Sequence, residues 1–364
     1  MKIGITGASG FLGASLLTHL HEQGGDDQIL PFFHRAPGNP LTDGLRIVHE
    51  HLDVTSPQEV LEKTRGLDVL YHVAGMVSYA RRARRAAWDV NVLGTRNVLA
   101  AAAANRISTV VCVSSISVLG VPGPGITFAD ESNQRYAPGR NPVSFASPAE
   151  ALAAVDASLR GDYGFTARMK VPYFDSKLAA FEYAMRFAGQ KGPRVVIVLP
   201  GTAVGPGDTA YAIGGLVHRV CEGRLRVTLP GGTSFVSSAD VAQGIARAAL
   251  SGRAGEAYII TGNEADNLSY RDFMILVAQE ASARFGRPCF QGFRTVPAPV
   301  ARTVARVAET LFPGGALQEG LALSGCPTHR FHCRKAREEL GYDPRVSLRE
   351  AIRACIEFNV QNHS

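Results

Sequence analysis

The first two hundred residues alternate short, almost wholly apolar runs with longer stretches whose apolar positions recur every three or four residues. The runs 2–6, 28–33, 68–73, 109–114 and 194–200 read as strands, and 45–53 leads into a further one. Between them, 11–23, 57–64, 86–105 and 173–188 carry the helical period. Strands such as TVVCVSS and RVVIVLP have no polar face, as expected of strands covered on both sides. Strand–helix alternation of this kind predicts βαβ units in a doubly wound parallel sheet, hence the α/β class. The rhythm breaks over 120–171, where a VPGPG loop and a polar stretch precede an Ala-rich helix at 148–160. Beyond Gly201 the pattern is mixed, with helices at 240–251, 269–284, 299–312 and 347–358 and a strand at 257–261.

A chain of 364 residues that is 46% hydrophobic fits one large α/β domain, or one plus a smaller lobe, and needs no disulfide or metal to build its core. Six scattered cysteines without framework spacing read as the reduced thiols of a cytoplasmic protein. The N-terminus runs straight into a strand and lacks a secretory signal's apolar core. The longest uncharged run, 107–129, is too rich in Ser, Pro and Gly for a spanning helix, so no integral membrane segment is expected. The net charge is +6, yet only six of the 38 basic residues are lysines. That bias reads as genome composition, and the dispersal of the charges argues against nucleic acid as a partner.

The first strand ends in TGASGFLG. Gly7 permits a sharp turn, Gly10 lets backbone approach a pyrophosphate, and Gly13 lets the following helix pack close to the sheet. Ser9, Phe11 and Leu12 complete this candidate cofactor loop, whose free amides and helix dipole face phosphate. The second strand ends in His34–Arg35 with no acid until Asp43, so Arg35 becomes a candidate for the 2′-phosphate of NADP(H), with NAD(H) possible. Asp53 suits the adenine amino group with Val54 beneath the ring, or else caps the helix at Pro57. Val73, Ala74 and Gly75 close the next strand with small residues where a cofactor could cross the sheet edge.

Tyr173 and Lys177 in PYFDSK lie four residues apart on one helix face. A neighbouring ammonium and an oxidised nicotinamide would both lower the phenol's pKa, fitting Tyr173 to exchange a proton with a carbonyl/alcohol oxygen. Ser115, at the carboxyl end of the strand VVCVSS, is placed to polarise that oxygen, whereas Ser114 and Ser117 read as structural.

Taken in order, TGASGFLG, LDVT, DVLYHVAG, VNVLGTRNVLAAA, VVCVSSISVLG, YFDSK, VLPGTAVGPGD, FVSSADVA and KAREELGYDPRVSLREAI resemble the blocks of the extended short-chain dehydrogenase/reductases, the NAD-dependent epimerase/dehydratase superfamily. The resemblance covers nearly the whole chain. It implies a Rossmann domain over 1–200 with an inserted segment at about 121–171, to which 235–262 returns. It implies a substrate-binding lobe from 201–234 and 263–345, then a C-terminal helix and tail over 346–364. Ser115, Tyr173 and Lys177 would be catalytic, and Lys177 would also hold the nicotinamide ribose. Asn91 would lie near the cofactor, and Pro200, Gly201 and Thr202 would touch the carboxamide. Met76, Ile116 and Ser117, with Ser115 and Tyr173, would meet the substrate. A homodimer is a family-level expectation.

No Asp-Glu pair follows Ser115, as dehydration would require, and Thr233–Ser234 stand where many sugar-nucleotide epimerases carry Arg-Asp. HVAGMVSY, WDVNVLGTRNV and the C-terminal stretch from VPAPVARTVARVAETL resemble the dihydroflavonol-reductase and 3β-hydroxysteroid-dehydrogenase branch. That implies a reductase or dehydrogenase of an apolar or aromatic secondary-metabolite, sterol-like or β-keto compound. A sugar-nucleotide epimerase and a non-catalytic NADP-binding regulator are the alternatives. The 135–170 excess between Ser115 and Tyr173 reads either as a lid over a bulky ligand or as a surface insertion or dimer-contact feature. Cys326, His329, His332 and Cys333 lack a second distant ligand pair, so no metal is expected. Arg81, Arg82, Arg84 and Arg85 read as a solvated loop or as attraction for an acidic substrate group. The apolar stripe of 299–312 reads as a core or lid face, with a membrane surface as the alternative.

Overall fold

The computed structural model describes every residue except 35–37, 46, 49, 134, 135, 137–142, 210–212, 314, 363 and 364; the expectation for Arg35 therefore lies outside the described residues. In chain order the elements are β1 (Lys2–Thr6), α1 (Phe11–Glu22), β2 (Gln28–Phe33), β3 (Glu50–His51), α2 (Pro57–Lys63), β4 (Val69–His72), α3 (Arg84–Trp88), α4 (Gly94–Ala104) and β5 (Thr109–Val113). There follow α5 (Pro148–Leu159), α6 (Pro172–Ala188), β6 (Arg194–Pro200), β7 (Thr202–Val204), α7 (Gly214–Cys221), β8 (Val227–Thr228) and β9 (Gly232–Ser237). The chain ends with α8 (Ser238–Ser251), β10 (Ala257–Ile260), β11 (Asn267–Ser269), α9 (Tyr270–Phe285), β12 (Arg294–Thr295), α10 (Ala298–Leu311), α11 (Glu319–Gly325), β13 (Thr328–His329), α12 (Arg334–Leu340) and α13 (Leu348–Asn362).

Seven strands form one parallel sheet in the order β10-β6-β5-β4-β1-β2-β3. Strand order reverses between β1 and β4, and a ligand crevice is expected outside the carboxyl ends there. Alternation along β5 divides the apolar residues between two cores. Val110 and Cys112 join Leu70, Leu99 and Leu178 on one face, while Val111 and Val113 join Ile5, Ile245 and Tyr258 on the other. A third core fills the smaller lobe, where Phe235 of β9 stacks on Phe273 of α9 at 4.2 Å and α7 and α13 close around them. Each core holds one fully buried cysteine: Cys112, Cys333 and Cys355 respectively. Five helices start on a serine whose hydroxyl accepts the amide three residues on: Ser56, Ser147, Ser237, Ser269 and Ser347. Such a cap is worth about 1 kcal/mol.

The structure departs from the sequence pattern in five places. The third strand spans Glu50–His51 only. The helix expected over 86–105 is interrupted by a π-helical turn at Asp89–Leu93, which turns Asn91 inward; Gly94 follows because a Cβ there would come 2.9 Å from Val54 Cγ2. Residues 333–342, assigned to the lobe above, supply Cys333, Ala336, Leu340 and Tyr342 to the sheet's second core, whereas α13 packs into the lobe. The described part of the insertion is not a loose flap: Val143, Phe145, Ala151, Val155, Met169 and Val171 belong to the same core as α6. Finally, the stripe on α10 is not a core face. Its inward seam is Ala301, Ala305 and Glu309, and its valines point to solvent.

Candidate functional site

The loop from β1 to α1 is shaped by its glycines. Gly7 has φ +70°, and a Cβ there would lie 2.6 Å from Ala74 Cα. A Cβ on Gly13 would come 2.1 Å from the Gly7 carbonyl oxygen. Helix α1 begins at Gly10 with no side-chain cap, leaving its first amides for an anion. Asn39 fixes the loop from outside, its Nδ2 donating to the carbonyls of Ser9 (3.3 Å) and Gly207 (2.7 Å). Phe11 and Leu12 are half-buried in the first turn of α1.

Asp53 does not cap α2, because Ser56 does; its Oδ1 instead accepts the amide and hydroxyl of Thr55, each at 2.8 Å. Its Oδ2 faces His34 Nε2 at 3.9 Å. Burial alone would raise the Asp53 pKa, but the Thr55 hydrogen bonds with His34 and His51 hold it below the usual value. Val54 is buried and its carbonyl accepts Asn97 Nδ2 at 3.0 Å.

At the end of β4 the Val73 amide donates to Thr6 O and the Ala74 amide to Thr6 Oγ1. Asn91 grips the next stretch: its Oδ1 accepts the Met76 amide at 2.8 Å, while Nδ2 donates to Met76 O and Ser176 Oγ, both at 2.9 Å. A directional chain stands behind it. Thr6 Oγ1 meets His72 Nδ1 at 2.9 Å, His72 Nε2 meets Thr95 Oγ1 at 3.1 Å, and Thr95 donates to Asn91 O at 2.7 Å. The Thr95 donation makes Nε2 the protonated nitrogen of His72 and Nδ1 the acceptor. The imidazole is neutral, because burial and then the nearby Lys177 press its pKa down to about 3.

Tyr173 and Lys177 lie in the first two turns of α6, whose Tyr173 amide donates to Ser78 O. The Tyr173 hydroxyl is hydrogen-bonded to Ser115, and Ser115 Oγ also accepts the Ser117 amide at 3.2 Å. With the protein's own groups alone the phenol's pKa is raised: burial dominates and only the Ser115 hydrogen bond opposes it. The ammonium of Lys177 donates to Val113 O at 3.0 Å, and burial lowers its pKa to about 8. A Cβ on Gly75 would lie 3.0 Å from Lys177 Nζ and 3.2 Å from Asn91 Oδ1, so bare backbone adjoins both side chains there. Gly201 passes equally close to the lobe, where a Cβ would come 2.5 Å from Ser234 O. After Pro200, Thr202 Oγ1 meets Thr233 Oγ1 at 3.0 Å. Ile116 is packed in the core, and Ser117 is buried with its hydroxyl unpaired within the protein.

Residues the sequence did not single out complete the surroundings. The Tyr79 ring meets Tyr173 edge-on at 6.1 Å, and its hydroxyl is hydrogen-bonded to Ser324. Asp175, wholly buried two residues after Tyr173, pins the insertion: it accepts the amides of Ser144 (2.5 Å), Lys170 (2.9 Å) and Val171 (3.3 Å). The only sequence signal was a charge on the buried side of an amphipathic helix. Arg81 pairs with Glu319 and Glu309, and Arg85 with Asp89, so these two are committed within the protein; Arg84 is half-buried with Nε unpaired. Among the described residues no group of three or more His, Cys, Asp or Glu side chains is arranged to hold a metal.

The model of the 3-beta hydroxysteroid dehydrogenase/isomerase family matches residues 4–147. A putative dihydroflavonol 4-reductase of Synechocystis is 30% identical, over 99% of this chain and 94% of its own. The chain belongs to the extended short-chain dehydrogenase/reductases. Within them it lies among the dihydroflavonol-reductase-like and 3β-hydroxysteroid-dehydrogenase-like proteins, and it is an NAD(P)-dependent oxidoreductase. A 2-alkyl-3-oxoalkanoate reductase of Stenotrophomonas maltophilia is 27% identical over 97% of this chain and 98% of its own. The crystal structure of gox2253 superposes with a TM-score of 0.74 at 26% identity, covering 99% and 98% of the two chains. More distant short-chain dehydrogenase/reductase folds include DesIV of Streptomyces venezuelae with NAD (TM-score 0.72, 21% identity, 100% and 98% covered) and RMD of Pseudomonas aeruginosa with NADPH (0.65, 18%, 98% and 98%). The glycine cradle, the uncapped helix and the bare backbone at Gly75 fit such a dinucleotide. Among the described residues no helix is long and apolar enough to cross a membrane.

Proposed function

We propose that this oxidoreductase is an NADP(H)-preferring ketone reductase or alcohol dehydrogenase for an apolar or aromatic compound of secondary-metabolite, sterol-like or β-keto type. The observation that carries the reading is the Tyr173–Ser115 hydrogen bond beside Lys177, at the carboxyl end of β5, one strand from the topological switch point. The named relatives, a dihydroflavonol reductase and an oxoalkanoate reductase, support the substrate class. When bound, the cofactor supplies hydride from its nicotinamide. The chain supplies the rest. Gly7, Ser9, Gly10, Phe11, Leu12 and Gly13 cradle the phosphates, Asp53 and Val54 receive the adenine, and Val73 to Gly75 with Asn91 line its passage. Pro200 to Thr202 receive the carboxamide, and Lys177 the ribose. Tyr173 gives its phenolic proton to the substrate oxygen. Ser115, whose oxygen already accepts the Ser117 amide, directs its own proton to that oxygen. The absence of an acid at the end of β2 favours the phosphorylated cofactor.

The epimerase reading is weakened by Thr233 and Ser234, which are buried and hydrogen-bonded to Thr202 and Asn267 and offer no cation to a diphosphate. Incubation with NADPH or NADH and a panel of ketones, followed at the nicotinamide absorbance, tests the proposal. Net oxidation of NADPH by apolar ketones is expected, with Tyr173→Phe binding cofactor normally but losing about 10²–10⁴-fold in turnover. Near-normal turnover in that variant, or bound NAD with no net cofactor consumption, would refute it. Cytoplasmic location and a homodimer go with this reading, and light scattering reads the second.

A further inference from the structure

Helix α6 carries both Tyr173 and Lys177, yet its N-terminus has no side-chain cap: Val171 stands at the N-cap and Pro172 opens the first turn without an amide hydrogen. Two contacts hold that turn instead. The Tyr173 amide donates to Ser78 O at 3.1 Å. From the other side Asp175 reaches back along the chain, its Oδ2 accepting the amides of Lys170 at 2.9 Å and Val171 at 3.3 Å. This is half of a capping box, in which a carboxylate inside the helix satisfies amides at and before its start.

The same carboxylate holds the insertion. Its Oδ1 accepts the Ser144 amide at 2.5 Å and its Oδ2 the Ser144 hydroxyl at 3.0 Å. Ser144 Oγ also accepts the Lys170 amide at 2.8 Å and lies 2.9 Å from Arg168 O. Arg84 of α3 is the cation whose charge bears on Asp175, and Glu309 and Glu319 act on the same arginine. Arg168 and Lys170 adjoin the cluster through their backbone and are exposed residues. A buried charge is a poor stabiliser, and burial lifts the Asp175 pKa to about 6, so the fold itself favours the neutral acid. What the ionised form supplies is geometry. It accepts at both oxygens, whereas the neutral acid must donate from one. Among its described partners only Ser144 Oγ can accept that proton, and it faces Oδ2, the oxygen that holds Lys170 and Val171. Protonation therefore weakens the hold on the turn that carries Tyr173.

We propose that Asp175 is a positioning residue for the reaction: its carboxylate binds the insertion to the first turn of α6 and so keeps the Tyr173 hydroxyl on Ser115. The 143–171 segment is then a brace for the proton donor rather than a lid. The inference rests on the reductase reading above. It gives stability and turnover opposite pH dependences. Toward acid, through about 6, the fold gains from neutral Asp175 while turnover is lost.

In the full chain, kcat, KM for a ketone, NADPH affinity and denaturant unfolding are followed across about pH 5 to 8. Asp175→Asn cannot ionise. At the alkaline end it should lose at least about tenfold in kcat, within the about 10²-fold that a misplacement of about 1 Å costs. Its KM and NADPH affinity should stay within about twofold of wild type, and the acid limb of kcat should be gone. Toward acid, wild type should gain in stability on Asp175→Asn while its lead in turnover closes. Ser144→Ala is the milder variant: it removes one donor to the carboxylate, so the acid limb should move to higher pH. An acid limb that survives Asp175→Asn, KM or NADPH affinity worsening in step with kcat, or stability and turnover leads that close together would each overturn the proposal. If Asp175→Asn does not fold, Ser144→Ala decides alone, and an unmoved limb overturns it. If no ketone oxidises NADPH, the reductase reading fails, and amide exchange over 170–176 still tests the brace: it should be faster in Asp175→Asn, and equal rates would sink it.

Discussion

Gly13 offers the sharpest test of the cofactor cradle, because what blocks a side chain there is backbone. A Cβ would stand 2.1 Å from Gly7 O, 2.8 Å from Gly7 C and 2.9 Å from Ala8 Cα. None of these is the end of a flexible side chain, so Gly13→Ala must push α1 away from the loop by about 1.3 Å to reach an ordinary 3.4 Å contact. Overpacking of this kind costs about 1–3 kcal/mol of stability. The larger effect falls on the dinucleotide. The uncapped amides at the start of α1 move with the helix, and losing two charge-assisted hydrogen bonds at about 1.5–2 kcal/mol each weakens binding by about 10²–10³-fold. Titration of NADPH against protein fluorescence measures this, with denaturant unfolding read in parallel. Gly66→Ala is the matched control: φ is +71° but nothing lies within 4 Å, so it should cost stability and leave NADPH affinity alone. A Gly13→Ala protein that binds NADPH within about twofold of wild type (a few tenths of a kcal/mol) would refute the cradle.

Three further outcomes are expected. Burial pushes the Asp175 pKa up to about 6 from 3.8, so this group stabilises the fold fully below 3.8 and that contribution, about 3 kcal/mol, is lost as pH rises through 6; Asp175→Asn should flatten that part of the pH dependence of unfolding, and an unchanged slope would contradict it. For Lys177 the sign is opposite: burial lowers its pKa from 10.5 to about 8, so its contribution is present above 10.5 and lost as pH falls through 8, and Lys177→Met should gain up to about 3 kcal/mol at neutral pH, an advantage gone at pH 11, while activity is lost. His72→Leu keeps the volume but leaves Thr6 and Thr95 each short of one hydrogen bond, which should cost about 2 kcal/mol and speed amide exchange at Met76; wild-type exchange there would show that the chain does not hold Asn91.

What the sequence made legible was local or strictly periodic. The two-sided apolar strands foretold a parallel sheet, and the glycines of TGASGFLG foretold a tight turn because Gly10 and Gly13 meet the backbone of Gly7 within their own βα unit. What it hid depends on contacts between distant segments. Asn91 is inward because of a π-helical turn that no apolar period marks, and Asp175 looks like any charged helix position until Ser144 and Lys170 are brought to it. The α10 stripe looked like a core face because periodicity reports that a helix has an apolar side, not which way that side points. Lys177 by itself does not lower the Tyr173 phenol for a related reason: four-residue spacing puts it on the same face, but the ammonium is held by Val113 O.

The distribution of cysteines turns the protein into its own unfolding recorder. With Cys112, Cys333 and Cys355 in three separate cores, an alkylating reagent reaches each sulfur only when that core opens. Burial lifts the Cys112 and Cys355 thiols to about 12, which further silences them while the fold is closed. Pulsed labelling read by peptide mass would then time the two faces of the sheet and the lobe separately, in the unmodified chain, with no introduced probe.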